Sequence, residues 1–268
     1  MIKLEKDLAA IPASLIPAFV DLFPGRARVP TLSRNTHRKR MIVINAGEYN
    51  DTSPFNDRYK LEDVRVGLNN IYKRKCAFCE QRVEQYHVEH YRPKAIYYWL
   101  AFSWDNLLLS CPTCNQNKGV NFELDGDEVS FTNIEMNVRN INTSSSAYDL
   151  AELPKMVNPE ITDPLGNIRF QVNGIIESDE PRFAYTIEKI KIDRKDLNDN
   201  RRTLLNTFRE HIRVALLEYA KAEDQQIAIG TIFRNFIIDS KNSELDFLAF
   251  RRYAISSGWL NEITKEMN

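Results

Sequence analysis

Two pairs of cysteines constrain this chain more than any other feature of its sequence. Cys76 and Cys79 form one C-x-x-C turn, Cys111 and Cys114 form a second, and together they are the four cysteines of the 268-residue sequence. Such a turn directs two sulfurs at one ion at a Zn–S distance of about 2.3 Å, and a second turn completes a tetrahedron. Because four thiolates leave no open coordination position, we predict a structural zinc site whose binding energy stabilises the fold of this segment.

Two other uses of the cysteines are open. They could form two disulfides, or they could be four buried free thiols. The N-terminus lacks a charged start followed by an apolar stretch, so we expect a cytosolic protein, in which disulfides are rare. The paired spacing disfavours unrelated buried thiols.

Composition sets further limits on the function. The chain is 43% hydrophobic and 27% charged, which suits one compact domain or two small ones. It has no run of 18 apolar residues, so we expect a soluble, cytoplasmic protein that does not contact a membrane. The net charge is −1, so binding to nucleic acid would depend on local basic patches.

Five polar residues in and just after the cysteine frame could carry chemistry: Glu89, His90, Asn106, Asn115 and Lys118. If the segment around Glu89 and His90 is extended, the two side chains point to opposite faces, so one can bind a metal while the other faces the attacking water. The amide of Asn106 can fix a loop or orient an imidazole. A short helix is predicted from Pro112 to Gly119, with Asn115 and Lys118 on one face.

This pattern resembles the HNH endonuclease family, whose fold is a ββα-metal finger. The resemblance implies that Glu89 is the first metal ligand, His90 the general base and Asn106 the residue that positions the loop and the base. It makes Asn115 the second metal ligand, where the commonest form of the motif has His, and Lys118 a phosphate contact. An amide oxygen is a hard ligand, which favours Mg²⁺ or Mn²⁺.

The sequence also resembles one subgroup, the PtuB-like HNH nuclease subunits of Septu anti-phage systems, including retron-associated forms. The shared motifs are VEHYRPK at 88–94, YYWLA at 97–101, WDNLLL at 104–109 and CPTCNQNKG at 111–119, followed by weaker likeness to about residue 215. The resemblance implies a partner, a Septu-type ATPase subunit (PtuA-like), that controls the nuclease. The subgroup's "LNR" element is matched only loosely by Ile192-Asp193-Arg194, and no role is assigned to it.

Basic residues near the frame are candidate nucleic-acid contacts: Lys73, Arg74 and Lys75 before the first cysteine pair, and Arg92 and Lys94 beside the Glu-His pair. The first three would also suit the negative end of a helix dipole. A basic stretch at 24–47 could follow a phosphate backbone, or it could be a solvated loop or partner contact. His87 shares a strand face with Glu89, where a supporting role is favoured over a third metal contact.

The predicted fold class is α+β, with the zinc-bound HNH finger embedded in a mostly helical chain and a C-terminal helical bundle. Four segments are expected. Residues 1–58 contain an N-terminal helix at 5–23 and the basic stretch and contact a partner or nucleic acid, and residues 59–125 form the nuclease domain, which begins with a helix at 59–75. Residues 126–195 form an accessory region with a strand at 127–136 and a hairpin at 168–176, and residues 196–268 contain helices at 198–222, 224–239 and 242–256.

Three functions are weighed. The favoured one is a metal-dependent endonuclease that hydrolyses DNA in anti-phage defence. The second is a ribonuclease with a tRNA-type substrate and the same site, which the motif cannot separate from the first because the chemistry takes place at phosphate. The third is a non-catalytic zinc module that binds nucleic acid or an ATPase partner, and the Glu89, His90, Asn106 and Asn115 set argues against it.

Overall fold

Helices make up most of the structure, and two small antiparallel sheets complete it. The structure is a computed structural model and describes residues 1–267, which have the predicted α+β architecture. The helices are α1 (Thr31–Ala46), α2 (Glu62–Tyr72), α3 (Pro112–Lys118), α4 (Glu135–Arg139), α5 (Ser144–Ala147), α6 (Asp149–Glu152), α7 (Pro181–Ile190), α8 (Lys195–Glu218), α9 (Ala222–Lys241), α10 (Leu248–Ser256) and α11 (Trp259–Met267). The strands are β1 (His87–His90), β2 (Leu107–Ser110), β3 (Arg169–Phe170) and β4 (Ile176–Glu177).

The finger consists of β1, β2 and α3, as predicted. Strands β1 and β2 pair antiparallel, with Glu89 opposite Leu108 and His90 opposite Leu107. Helix α3 begins at Pro112, where the missing N–H of proline costs no hydrogen bond, and it ends at Gly119, which has a φ of 47°. These local signals bring the end of β1 close to the start of α3.

Helix α2 lies beneath the finger and confirms the predicted helix at 59–75, although it is shorter. Val64, Leu68 and Tyr72 recur every four residues and are buried on one face. The helix ends where Lys73 adopts a left-handed conformation with a φ of 52°. A 3₁₀ turn at Arg58–Lys60 precedes α2 and brings this segment alongside the strands.

One hydrophobic core connects the finger to the rest of the chain. Aromatic residues of the finger are buried in it: Tyr97, Trp99, Phe102 and Trp104. The same cluster includes residues from each of the four predicted segments, from Leu15 to Ile263. The four-segment division therefore stays a prediction.

The C-terminal helices pack on one another as predicted. Phe208 of α8 contacts Phe233 and Phe236 of α9, with ring centroids 5.2 and 5.5 Å apart. The predicted hairpin is also present, as β3 and β4 pair antiparallel around Gly174, which has a φ of 90°. No helix within residues 1–267 combines the length and apolarity needed to cross a bilayer.

Two predicted elements are wrong. The segment 5–23 forms only 3₁₀ turns at Ala13–Leu15 and Val20–Leu22, because Pro12 and Pro17 fix the backbone and lack the N–H that a helix requires. The segment 127–136 forms no strand in the described structure, since no neighbouring strand pairs with it. Instead, the Val129 N–H donates to the Glu152 carboxylate.

Candidate active site and metal centre

The four cysteines meet at one point, as predicted. All four are buried, and their sulfur atoms lie within 4.8 Å of one another. The Cys79 and Cys111 sulfurs are 3.9 Å apart. Zn–S bonds of about 2.3 Å in a tetrahedron require S···S distances of about 3.8 Å, so these residues fit a zinc ion.

Arg194 contacts this metal centre from far along the chain. Its guanidinium donates to the Cys114 Sγ at 3.5 Å, and Asp196 holds it through an ion pair of 3.1 Å. The sequence analysis assigned no role to this residue, because a single arginine 80 positions from its partner gives no local signal. The contact connects the cysteine cluster to the turn between α7 and α8.

Glu89, His90 and Asn115 line one cavity of about 560 Å³ beside the cysteine cluster. The amide of Asn115 donates to the Glu89 carboxylate. Because β1 pairs with β2 and β2 leads directly into α3, the geometry of the finger places these side chains together. The structure therefore brings the two proposed ligands and the proposed base to the same surface.

Lys118 holds Glu89 in position. Its ammonium lies 3.0 Å from the Glu89 carboxylate and donates to the His90 carbonyl oxygen at 2.7 Å. The Lys118 side chain is fully buried, so the predicted phosphate contact is incompatible with this position. Burial raises the pKa of Glu89, and the adjacent Lys118 charge opposes that rise.

The His90 ring is held through one of its two nitrogens. Its Nε2 lies 2.9 Å from the Ala101 carbonyl oxygen. A carbonyl can only accept, so Nε2 carries the proton and Nδ1 has a free lone pair. Burial lowers the pKa of His90 to about 3, so the imidazole is neutral at pH 7.

Asn106 forms hydrogen bonds with the loop that carries that carbonyl. Its Nδ2 donates to the carbonyl oxygens of Arg92 and Leu100 at 3.0 and 3.3 Å, and its Oδ1 accepts from the Arg92 N–H at 2.8 Å. Ser145 Oγ donates to the same Oδ1 at 3.2 Å. Asn106 thus stabilises the carbonyl next to the one that orients His90.

Arg40 secures the carbonyl on the other side of Ala101. This residue of α1 is buried and donates to the Phe102 and Leu15 carbonyl oxygens at 2.9 and 2.7 Å. It belongs to the basic stretch at 24–47, but a buried guanidinium bound to backbone carbonyls is not available to phosphate. The carbonyls of residues 100, 101 and 102 are therefore bound by Asn106, His90 and Arg40 in turn.

The predicted nucleic-acid contacts have different environments. Arg92 is fully buried and pairs with Asp149 and Glu152, and Lys75 is buried with its ammonium bound to the Ser243 and Leu245 carbonyls, so neither can reach a phosphate. Both predictions are wrong for the same reason, since each cation has an internal partner. Of the remaining predicted contacts, Lys94 lines the cavity and pairs with Asp51 at 2.7 Å, while Lys73 and Arg74 form a turn that does not line it.

The cavity is also lined by residues that were not predicted from the sequence, among them Tyr59, Lys60 and Arg65. They precede the cysteine frame, and only tertiary packing places them opposite β1. His87 is exposed and lines the same cavity on the Glu89 side. Its position is compatible with the supporting role that was favoured for it.

Comparison with known proteins agrees with this geometry. Residues 76–121 match the model of the HNH endonuclease family. The Septu protein PtuB of Bacillus mycoides (strain KBAB4) is 30% identical over 166 residues, which cover 55% of this chain and 52% of that protein. The Septu protein PtuB of Bacillus thuringiensis is 38% identical over 60 residues, covering 21% of this chain and 23% of that protein.

The chain thus spans about half the length of the first of these relatives, and less of the second. The matched family region coincides with the ββα finger and its four-cysteine frame. The predicted resemblance is confirmed: residues 76–121 match the HNH endonuclease family, in a chain similar to Septu PtuB proteins.

Proposed function

We propose that this protein is a metal-dependent endonuclease that hydrolyses phosphodiester bonds of DNA. The observation that carries the proposal is the meeting of Glu89, His90 and Asn115 on one cavity wall, with Nδ1 of His90 free to accept a proton. The match of residues 76–121 to the HNH endonuclease family supports it.

The residues fit a hard divalent ion. Glu89 supplies a carboxylate, and a half-turn of the Asn115 amide would present its oxygen to the position that its nitrogen now faces. Oxygen ligands favour Mg²⁺ or Mn²⁺, which retain several waters when a protein supplies few ligands. Such an ion supplies Lewis-acid stabilisation of the charge that develops on the phosphate and the leaving oxygen.

His90 performs the proton transfer in this scheme. Its Nδ1 accepts a proton from the water whose oxygen attacks phosphorus, and the bond from phosphorus to the leaving oxygen breaks. The Ala101 carbonyl holds Nε2–H throughout, so the imidazole keeps its tautomer and gains a stabilising partner when it becomes charged. Lys118 and Asn106 are positioning residues that keep Glu89 and the Ala101 loop in place.

We assign the four-cysteine site to structural zinc. The sulfur spacing and the absence of a further ligand position support this assignment. Disulfides are rare in a reducing compartment, where cysteines remain able to bind zinc, and we place the protein in the cytoplasm.

We further infer that the nuclease acts in anti-phage defence under the control of a Septu-type ATPase subunit. Similarity to Septu PtuB proteins supports this inference. Copurification with the product of the adjacent gene, followed by cleavage assays with and without ATP, would test it.

The catalytic proposal is tested by His90→Ala. Loss of the base should slow cleavage of plasmid DNA in Mg²⁺ or Mn²⁺ by about 10²–10⁴-fold. The matched control is His211→Ala, which removes an exposed histidine from α8. Zinc content should be unchanged in both variants. His90→Ala also loses a buried hydrogen bond and ring packing, so its thermal unfolding is measured to confirm that it is folded at the assay temperature.

Two results would contradict the proposal. If His90→Ala cleaves as fast as the wild type, the assignment of the base is wrong. If the wild type cleaves total RNA under the same ions and leaves plasmid DNA intact, the substrate is RNA.

A further inference from the structure

A second group of side chains lines the active-site cavity from outside the HNH domain. Lys60 lies in the 3₁₀ turn before α2, and Arg65 lies on α2 itself. Both line the cavity that contains Glu89 and His90, and both precede the matched residues 76–121. The cavity therefore has one wall from the finger and another from the segment N-terminal to it.

The charges on this second wall are not neutralised. Lys60 and Arg65 are exposed, and within residues 1–267 neither forms an ion pair with a carboxylate. The other lysine of the cavity wall, Lys94, is 2.7 Å from Asp51. Lys118, below the cavity, is paired with Glu89. Lys60 and Arg65 are thus cavity-lining cations that have no carboxylate partner among residues 1–267.

Aromatic rings hold these cations near the catalytic base. The Lys60 ammonium is 5.2 Å from the centroid of the Tyr59 ring, and the Arg65 guanidinium is 5.3 Å from the Tyr86 ring. Tyr59 in turn packs edge-on against the His90 ring, with centroids 4.5 Å apart. A cation is attracted to the face of an aromatic ring, so both side chains have a preferred position at the rim.

We propose that Lys60 and Arg65 bind backbone phosphates of DNA that flank the bond to be cleaved. This inference rests on the proposed nuclease function and extends it to residues outside the HNH domain. Two cations without carboxylate partners, beside the neutral imidazole of His90, attract a polyanion. Such a local positive charge is needed for binding to DNA because the net charge of the whole chain is −1. Because they contact phosphate rather than bases, they contribute affinity without sequence preference.

The test measures binding separately from cleavage. In a His90→Ala background, the affinity for a fluorescently labelled DNA duplex is measured by anisotropy in Mg²⁺ across a range of salt concentrations. The variant is Lys60→Gln/Arg65→Gln. Each lost phosphate contact should reduce the slope of log K against log salt by about 0.9, so the double variant should reduce it by about 1.8. Each contact should therefore raise the affinity for DNA about eightfold when the salt concentration falls from 1 M to 0.1 M.

A matched control removes two exposed charges elsewhere. Lys221→Gln/Arg234→Gln changes the net charge by the same amount at positions that do not line the cavity. Its slope of log K against log salt should equal that of the parent, which carries His90→Ala alone. Thermal unfolding of both double variants should match the parent, because all four side chains are exposed.

The outcomes separate this inference from the nuclease function. If Lys60→Gln/Arg65→Gln binds with the affinity and salt slope of the control, the inference is overturned, while cleavage by the wild type leaves the nuclease function standing. If the parent binds no DNA at low salt, the inference is also overturned. If binding depends on the two residues but the wild type cleaves no nucleic acid, the phosphate contacts stand and the nuclease function does not.

Discussion

Replacing Arg92 with Met should lower the free energy of unfolding rather than weaken binding to DNA. Arg92 is fully buried, and its guanidinium pairs with Glu152 and Asp149 on α6. Its Nε also donates to the Ser145 carbonyl oxygen at 3.0 Å. The residue therefore anchors the loop after β1 to the short helices α5 and α6.

The size of the effect follows from what the substitution leaves behind. Removing one partner of a buried ion pair costs about 3–5 kcal/mol, because the remaining charge is uncompensated. Glu152 is completely buried, but it keeps hydrogen bonds from the Tyr97 hydroxyl at 3.1 Å and the Val129 N–H at 2.9 Å. Asp149 is partly exposed and can be solvated. We therefore expect the lower end of that range, about 3 kcal/mol out of a total of roughly 5–15 kcal/mol.

Urea unfolding followed by tryptophan fluorescence measures this change, since Trp99 and Trp104 are buried in the same core. The double variant Arg92→Met/Glu152→Gln should recover part of the loss, because it removes the orphaned charge. Lys94→Met is the control, as its ion pair with Asp51 is at the surface and should contribute less than about 1 kcal/mol.

The reasoning is refuted if Arg92→Met unfolds within about 1 kcal/mol of the wild type, below the range expected for a broken buried pair. Weaker DNA binding in such a stable variant would instead support the phosphate contact predicted from the sequence.

Two further predictions concern the metal centre and the base. Cys76→Ser, or a strong zinc chelator, should unfold the finger, because structural zinc contributes about 10–16 kcal/mol in isolated fingers, as much as the whole stability of a typical domain. Circular dichroism and zinc content measure this unfolding. A native spectrum without bound metal would contradict the prediction. His90 has a folded-state pKa of about 3, below its unfolded value of 6.5, so its contribution to stability is present above pH 6.5 and is lost as the pH falls towards 3. For the same reason, the acidic limb of kcat/KM that reports His90 should lie well below pH 6.5, and a limb centred near that value would contradict the burial argument.

The sequence alone predicted the finger because its signals are local. Paired C-x-x-C turns, Pro112 at the start of a helix and Gly119 at its end act over a few residues, and together they determine the position of Glu89 relative to Asn115. The long amphipathic helix near 198–222 was predicted for the same reason, as its apolar period spans many turns.

The tertiary structure decided which charges face the cavity. Arg92, Lys75 and Lys118 look like surface cations in the sequence, yet their partners lie 28 to 170 residues away and bury them. Lys60 and Arg65 carry no such signal, and only the packing of α2 against β2 brings them to the cavity. The pattern of charged residues in the sequence is the same whether their side chains are solvated or paired inside the protein. The sequence therefore determines which residues carry a charge that could bind phosphate, and long-range contacts determine which of these charges are free to do so.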